Sequence, residues 1–138
     1  MKKLIFASCI GLLAGCTMND PAEMRAAAGD DEARLAAALE GYEQAGPSVS
    51  CVTQRYLRGN RSAGEGAIIF DDQSPNKIWV NRPPAGCPSL DSGRALLTRT
   101  PSDRLCRGDI ARVADLQSGI EYGGCGLGDF TPYQKRRG

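Results

Sequence analysis

The chain has 138 residues, 17 Lys and Arg against 16 Asp and Glu, a formal net charge of +1, and no histidine. That length allows one small domain with an appendage, and the charge balance lacks the basic excess that marks a nucleic-acid-binding domain. The missing imidazole removes histidine-based triads, histidine metal sites and imidazole proton transfer together.

The N-terminus carries an address. Met1-Lys2-Lys3, an apolar run from Leu4 to Leu13 and small residues before a cysteine, Leu13-Ala14-Gly15-Cys16, form a secretory signal whose apolar core is too short to span a bilayer. The stretch resembles a bacterial lipoprotein signal peptide. That resemblance implies cleavage after residues 1–15, a diacylglycerol on the Cys16 thiol and acylation, such as palmitate, of the new amino group. Cys9, followed by Ile10 inside the apolar core, leaves with the signal. Two or three acyl chains, at roughly 0.8 kcal/mol per buried methylene, anchor a protein stably. Thr17 after the lipidated position favours the outer membrane over the inner one, with the protein facing the periplasm.

Residues 16–46 read as a lipidated N-terminus and an alanine-rich helical spacer. Asp20 is placed as a helix N-cap, with Pro21 at the first helical position and Glu23 three residues after the cap. A second run follows Gly29, capped by Asp30 or Asp31. In it Leu35, Leu39 and Tyr42 recur at helical spacing until Gly46-Pro47 stops it. The spacing predicts a spacer whose second half docks on the domain that follows, holding it clear of the lipid headgroups.

Residues 47–138 read as one disulfide-stapled β-rich domain. Expected strands cover 48–57, 66–71, 77–81, 95–100, 110–114 and 120–125, with a terminal edge over 127–133. The segment 58–66 reads as a flexible connection, 72–76 as a hairpin loop and 115–119 as a second turn. Ala67-Ile68-Ile69-Phe70 is the candidate for a strand buried on both faces. The fold class is therefore mainly β: a small antiparallel barrel or sandwich of about six strands behind a short helical spacer.

Besides Cys16 the exported part holds Cys51, Cys87, Cys106 and Cys125, an even set that in an oxidising compartment predicts two disulfides in one of three pairings. No pair has the close spacing of a zinc-binding motif.

Ser50-Cys51-Val52, Ile78-Trp79-Val80-Asn81-Arg82-Pro83, Leu97-Thr98-Arg99-Thr100, Leu105-Cys106-Arg107-Gly108-Asp109-Ile110 and Leu127-Gly128-Asp129-Phe130-Thr131-Pro132-Tyr133 together resemble an uncharacterised family of small exported Gram-negative proteins, a domain of unknown function. The resemblance covers most of the exported part and brings no activity. Members that keep counterparts of Cys51 and Cys106 while lacking the others imply the pairing Cys51 with Cys106 and Cys87 with Cys125.

No catalytic, cofactor or metal site is read from the chain. Asp71, Asp72, Asp109, Glu121 and Asp129 are the carboxylates available to a hydrolase of cell-wall sugars, and each also has a turn or strand-start role. Arg107-Gly108-Asp109 reads as a tight turn, and the glycines of 123–128, without a P-loop ending, as a bulge or close strand approach. Trp79 alternates with Ile78 and Val80, which puts its indole beside Lys77 and Asn81 on an outer face unless the N-terminal helix covers it. With Arg82 it is the candidate partner contact, one where Trp79→Ala weakens binding without unfolding the domain. The basic end Lys135-Arg136-Arg137 reads as a solvated tail. The expected function is a membrane-tethered envelope module for non-catalytic binding or structural support. Its partner is an envelope protein or cell-wall glycan and not nucleic acid; the alternative is a hydrolase or hydrolase inhibitor acting on envelope polymers.

Overall fold

The computed structural model describes residues 20–90 and 93–138. The expected signal peptide, with Cys9, and the expected lipidation site Cys16 with Thr17 lie outside the described residues.

Helix α1 (Pro21–Ala38) opens as its sequence dictates: the Asp20 carboxylate accepts from the Ala22 N–H at 2.8 Å, and Pro21 occupies the first turn, where no N–H is needed. The two helical runs expected on either side of Gly29 are one helix. Alanine-rich flanks carry it through that glycine, around which nothing crowds the backbone. Nor does it run to residue 46. It stops at Ala38, Gly41 at φ 79° reverses the chain, and Tyr42, expected on the helical stripe, begins strand β1 (Tyr42–Gln44).

The rest is mainly β, with short antiparallel strands in place of the fewer, longer ones expected. In chain order β2 (Cys51–Thr53), a 3-10 turn (Gln54–Tyr56), β3 (Leu57–Ser62), β4 (Ile68–Asp72), β5 (Lys77–Asn81), β6 (Ala95–Thr98), β7 (Arg104–Cys106), β8 (Ile110–Ala114), β9 (Glu121–Gly126) and β10 (Phe130–Lys135) follow. They form a five-stranded sheet, β1-β10-β5-β4-β3, and two smaller ones, β2-β7 and β6-β8-β9. The arrangement is sandwich-like, with no closed barrel among the described residues. Strand β10 is not a terminal edge: β1 pairs with it on one side and β5 on the other. The segment expected to be a flexible connection supplies β3, a polar edge strand paired with β4 through a bulge between Leu57 and Gly59.

Two cores lie on opposite faces of the large sheet, because alternate residues of a strand point opposite ways. Ile69, Ile78 and Val80 pack with Ala63, Ala67 and Leu35 of α1, while Ile68, Phe70 and Phe130 pack with Val52, Leu96, Leu105 and Val113 of the smaller sheets. Strand β4 is thus buried on both faces, as its aliphatic run predicts.

The helix is held down by more than Leu35. The Asp31 carboxylate accepts from the Gly66 N–H at 2.9 Å, and Glu32 takes two hydrogen bonds from the Arg82 guanidinium at 2.9 and 3.0 Å. Asp31 is therefore a docking residue and not a helix cap.

Disulfides join Cys51 to Cys106 across β2 and β7, and Cys87, in the loop after β5, to Cys125 on β9. The second lies in the core, with Cys87 fully buried, whereas both sulfurs of the first belong to half-buried residues. Where β9 crosses β8, a side chain at Gly124 would meet the Ala111 carbonyl oxygen at 2.5 Å, so the glycine-rich run serves close strand approach.

Candidate functional site

A cleft of about 270 Å³ opens beside the Cys51–Cys106 disulfide, lined by Val49, Thr53, Tyr56, Asp72, Lys77 and Trp79 together with β2. Three local structures build it. The chain leaves β10 after Val49, which exchanges backbone hydrogen bonds with Phe130, and crosses to β7 as β2. The turn after β2 raises Tyr56, 48 % exposed, on the rim. The β4–β5 hairpin supplies Asp72, Lys77 and Trp79 as the floor.

That floor is a fixed polar array. The buried Asp72 carboxylate accepts the Ser74 N–H with one oxygen and the Trp79 indole Nε1–H with the other, both at 2.9 Å. Lys77 Nζ lies 4.0 Å from the second oxygen and 4.2 Å from the indole centroid. The ammonium thus neutralises the carboxylate and stacks on the ring, a cation–π contact contributing about 1 kcal/mol. The result is a rigid aromatic surface whose charges are internally paired.

Trp79 lies on the face expected for it, with Lys77 and Asn81, yet that face is not outer. The smaller sheets cover it, Trp79 is half-buried against their core, and Asn81 is fully buried, exchanging two hydrogen bonds with the Gly128 backbone. The helix covers the Ile78 and Val80 face instead. Arg82 is not brought to Trp79: it is held at the helix by Glu32, beside Ala28, Asp31 and Gly66. Val49, Thr53, Tyr56 and Asp72 were not singled out as contacts from sequence. The one signal for Asp72 was its place two residues before Ser74 at the mouth of a hairpin.

The other carboxylates singled out have local partners. Asp71 pairs with Arg61, Glu121 with Arg112 at 2.8 Å, and Asp129 with Arg107 at 3.4 Å. Asp109 accepts the Cys106 N–H at 2.7 Å, closing the Arg107-Gly108-Asp109 turn. Of the basic end, Lys135 lies in β10, where its N–H reaches the Asn76 carbonyl oxygen, and the Arg136 N–H reaches that of Gly41.

Two carboxyls are held below their usual range: Glu32 by the Arg82 hydrogen bonds and charge, and Asp115 by the backbone N–H groups of Gln117 and Ser118. Arg82 is raised in turn by Glu32. Asp115 belongs to a larger open cleft of about 500 Å³ with Arg94, Leu116 and Tyr122. Its groups are already engaged, since Arg94 lies 3.6 Å over the Tyr122 ring and donates to the Ser89 carbonyl oxygen.

Comparison with known proteins adds no analogy for either cleft: no family model matches the chain, and neither a curated protein nor a solved structure does.

Proposed function

We propose that this protein is a lipid-anchored module of the cell envelope, acylated at Cys16, held at the outer membrane facing the periplasm, and that it binds a partner without catalysis through the cleft around Trp79. The export signal supports the address. The observation that carries the binding role is the floor of the cleft, where Asp72 and Lys77 lock the indole in place beside exposed Tyr56 and Val49. A pre-organised aromatic surface with its charges paired contributes contact area at little ordering cost. Arg82, docked on Glu32, supports the helix and is not part of this contact.

The anchor is short. Only residues 17–20 lie between Cys16 and α1, and four extended residues reach at most about 14 Å. With the second half of α1 docked, the module stays near the bilayer, and its partner is in the same membrane or close above it.

The test has two arms. Palmitate labelling of cells marks the wild-type protein and not Cys16→Ser, and labelled Cys16→Ser refutes the address. Immobilised protein retains a discrete envelope component that Tyr56→Ala retains poorly. Equal retention by Tyr56→Ala refutes the cleft.

A further inference from the structure

The backbone of the cleft indicates what kind of molecule it takes, an inference that rests on the binding role just proposed. In an antiparallel pair, residues that exchange both backbone hydrogen bonds alternate with residues whose groups turn outward. The Arg107 N–H donates to the Ser50 carbonyl and the Gln54 N–H to that of Asp103, in the register that sets Cys51 opposite Cys106. The bonded positions of β2 are therefore 50, 52 and 54. Cys51 and Thr53 are at the alternate positions, so their N–H and C=O groups leave β2 on the side away from β7. This is the side on which Val49 still meets Phe130. Beyond Val49 no strand follows there among the described residues, because β2 and β7 form a sheet by themselves. The cleft occupies that side, lined by β2 and by no residue of β7.

We propose that the cleft receives an extended peptide segment of a partner protein, which adds to β2 as a third strand. Cys51 offers a donor and an acceptor and Thr53 a donor, at a two-residue repeat of about 7 Å, the Thr53 carbonyl being taken by the Tyr56 N–H in the first turn of the 3-10 segment. This is the pattern of another strand's backbone. A sugar's hydroxyls have no such period. Side chains of the added strand would alternate, one set meeting Tyr56, Val49 and the indole. Since Lys77 is already neutralised by Asp72, the site favours an apolar or aromatic residue there over an acidic one. Three residues of open edge give register and direction, while their shortness limits indiscriminate strand pairing.

The test uses the full acylated chain in detergent, random peptides displayed on phage, and two variants. Thr53→Pro removes one outward N–H and sets a ring carbon on the edge. Thr53 has φ −80°, within proline's range, and its N–H takes no part in the β2–β7 ladder. Thr53→Ala keeps the N–H. The expected result is a family of selected peptides with an apolar residue in common, bound about tenfold or more weaker by Thr53→Pro than by Thr53→Ala, two variants that both lack the threonine side chain and differ in the N–H. Should Thr53→Pro fail to fold, N-methylation of single residues in a selected peptide gives the same reading: alternate positions abolish binding and the intervening ones do not. Peptides that bind Thr53→Pro as well as Thr53→Ala, or that tolerate N-methylation throughout, overturn the proposal. Selection of no peptide, with Tyr56-dependent binding of the N-acetylhexosamine disaccharide of cell-wall glycan, overturns it and leaves the binding role standing. Self-association lost in Thr53→Pro, without peptide binding, overturns it in favour of a second copy of this chain. Binding of none of these removes the peptide and the binding role together.

Discussion

The indole Nε1–H of Trp79 donates to the Asp72 carboxylate at 2.9 Å across the β4–β5 hairpin, and Lys77 closes the array from above the ring. A side chain that sequence alone marks as a surface contact is thus also a structural strut. Removing it takes away core packing and leaves a buried carboxylate short of a donor.

Trp79→Ala is accordingly expected to destabilise the domain by roughly 3 kcal/mol, near the low end for loss of a buried tryptophan because the ring is only partly buried. Trp79→Phe keeps part of the ring's packing, loses the hydrogen bond and should cost less than Trp79→Ala, about 1.5 kcal/mol or slightly more. Urea unfolding measures both. A Trp79→Ala protein as stable as wild type would mean that the indole does not brace Asp72.

Helix docking depends on Leu35, which is 1 % exposed, and on the small turn that receives Asp31. Leu35→Ala should cost about 2 to 5 kcal/mol. Gly64→Ala should cost about 1 to 3 kcal/mol, because Gly64 has φ 78° and an added Cβ would fall 1.7 Å from Asp31 Oδ1. Protease cleavage within α1 should accelerate in both variants while the disulfide-stapled sheets stay protected. Unchanged cleavage would show that the helix is not held by these contacts.

The Glu32–Arg82 pair fixes a pH dependence. Glu32 titrates below its usual range in the folded state because Arg82 holds the charged form. Its contribution is therefore present in full above the ordinary glutamate range and is lost as pH falls through the lowered folded value. Asp115 acts in the same direction on its own turn. The pair is solvent-exposed, so the effect is small and screened by salt. The acid limb of a plot of thermal midpoint against pH should flatten in Glu32→Gln, and more so with Asp115→Asn. Superimposable limbs for wild type and the double variant would contradict the assignment.

The two disulfides should differ in access. Cys51 and Cys106 are half-buried beside an open cleft, whereas Cys87 is fully buried and Cys125 nearly so. Mild reductant without denaturant should open Cys51–Cys106 first, as mapped by alkylation and peptide mass. Full reduction should then remove roughly 3 to 4 kcal/mol for each closed loop, enough to unfold a domain of this size. Equal labelling of all four cysteines at the first time point would refute the order.

What was legible in the sequence follows from which signals are local. The Asp20-Pro21 start of α1, the Asp72 to Asn76 turn and the aliphatic strand β4 each carry their own cause within a few residues, and each is found. Strands β1, β3 and β7 are polar, short or exposed. Their order comes from pairing with distant partners such as Tyr42 with Lys135, which no local pattern announces. The same limit hid the cleft. Asp72 meets Trp79 within the β4–β5 hairpin, but Tyr56 and Val49 join them only because the chain leaves β10 at Val49 and crosses to β7. Alternation assigned Trp79 to the correct face of β5, but only the second layer shows that this face is covered.

Photo-crosslinking in intact cells from a benzoylphenylalanine placed at Tyr56 reads whether a partner occupies the cleft at the membrane. One discrete adduct is expected, depleted in Cys16→Ser and in Thr53→Pro, and absent when the probe is placed instead at Glu40 beyond the end of α1. Adducts that are equally abundant from both positions, or unchanged by Thr53→Pro, would contradict that occupancy.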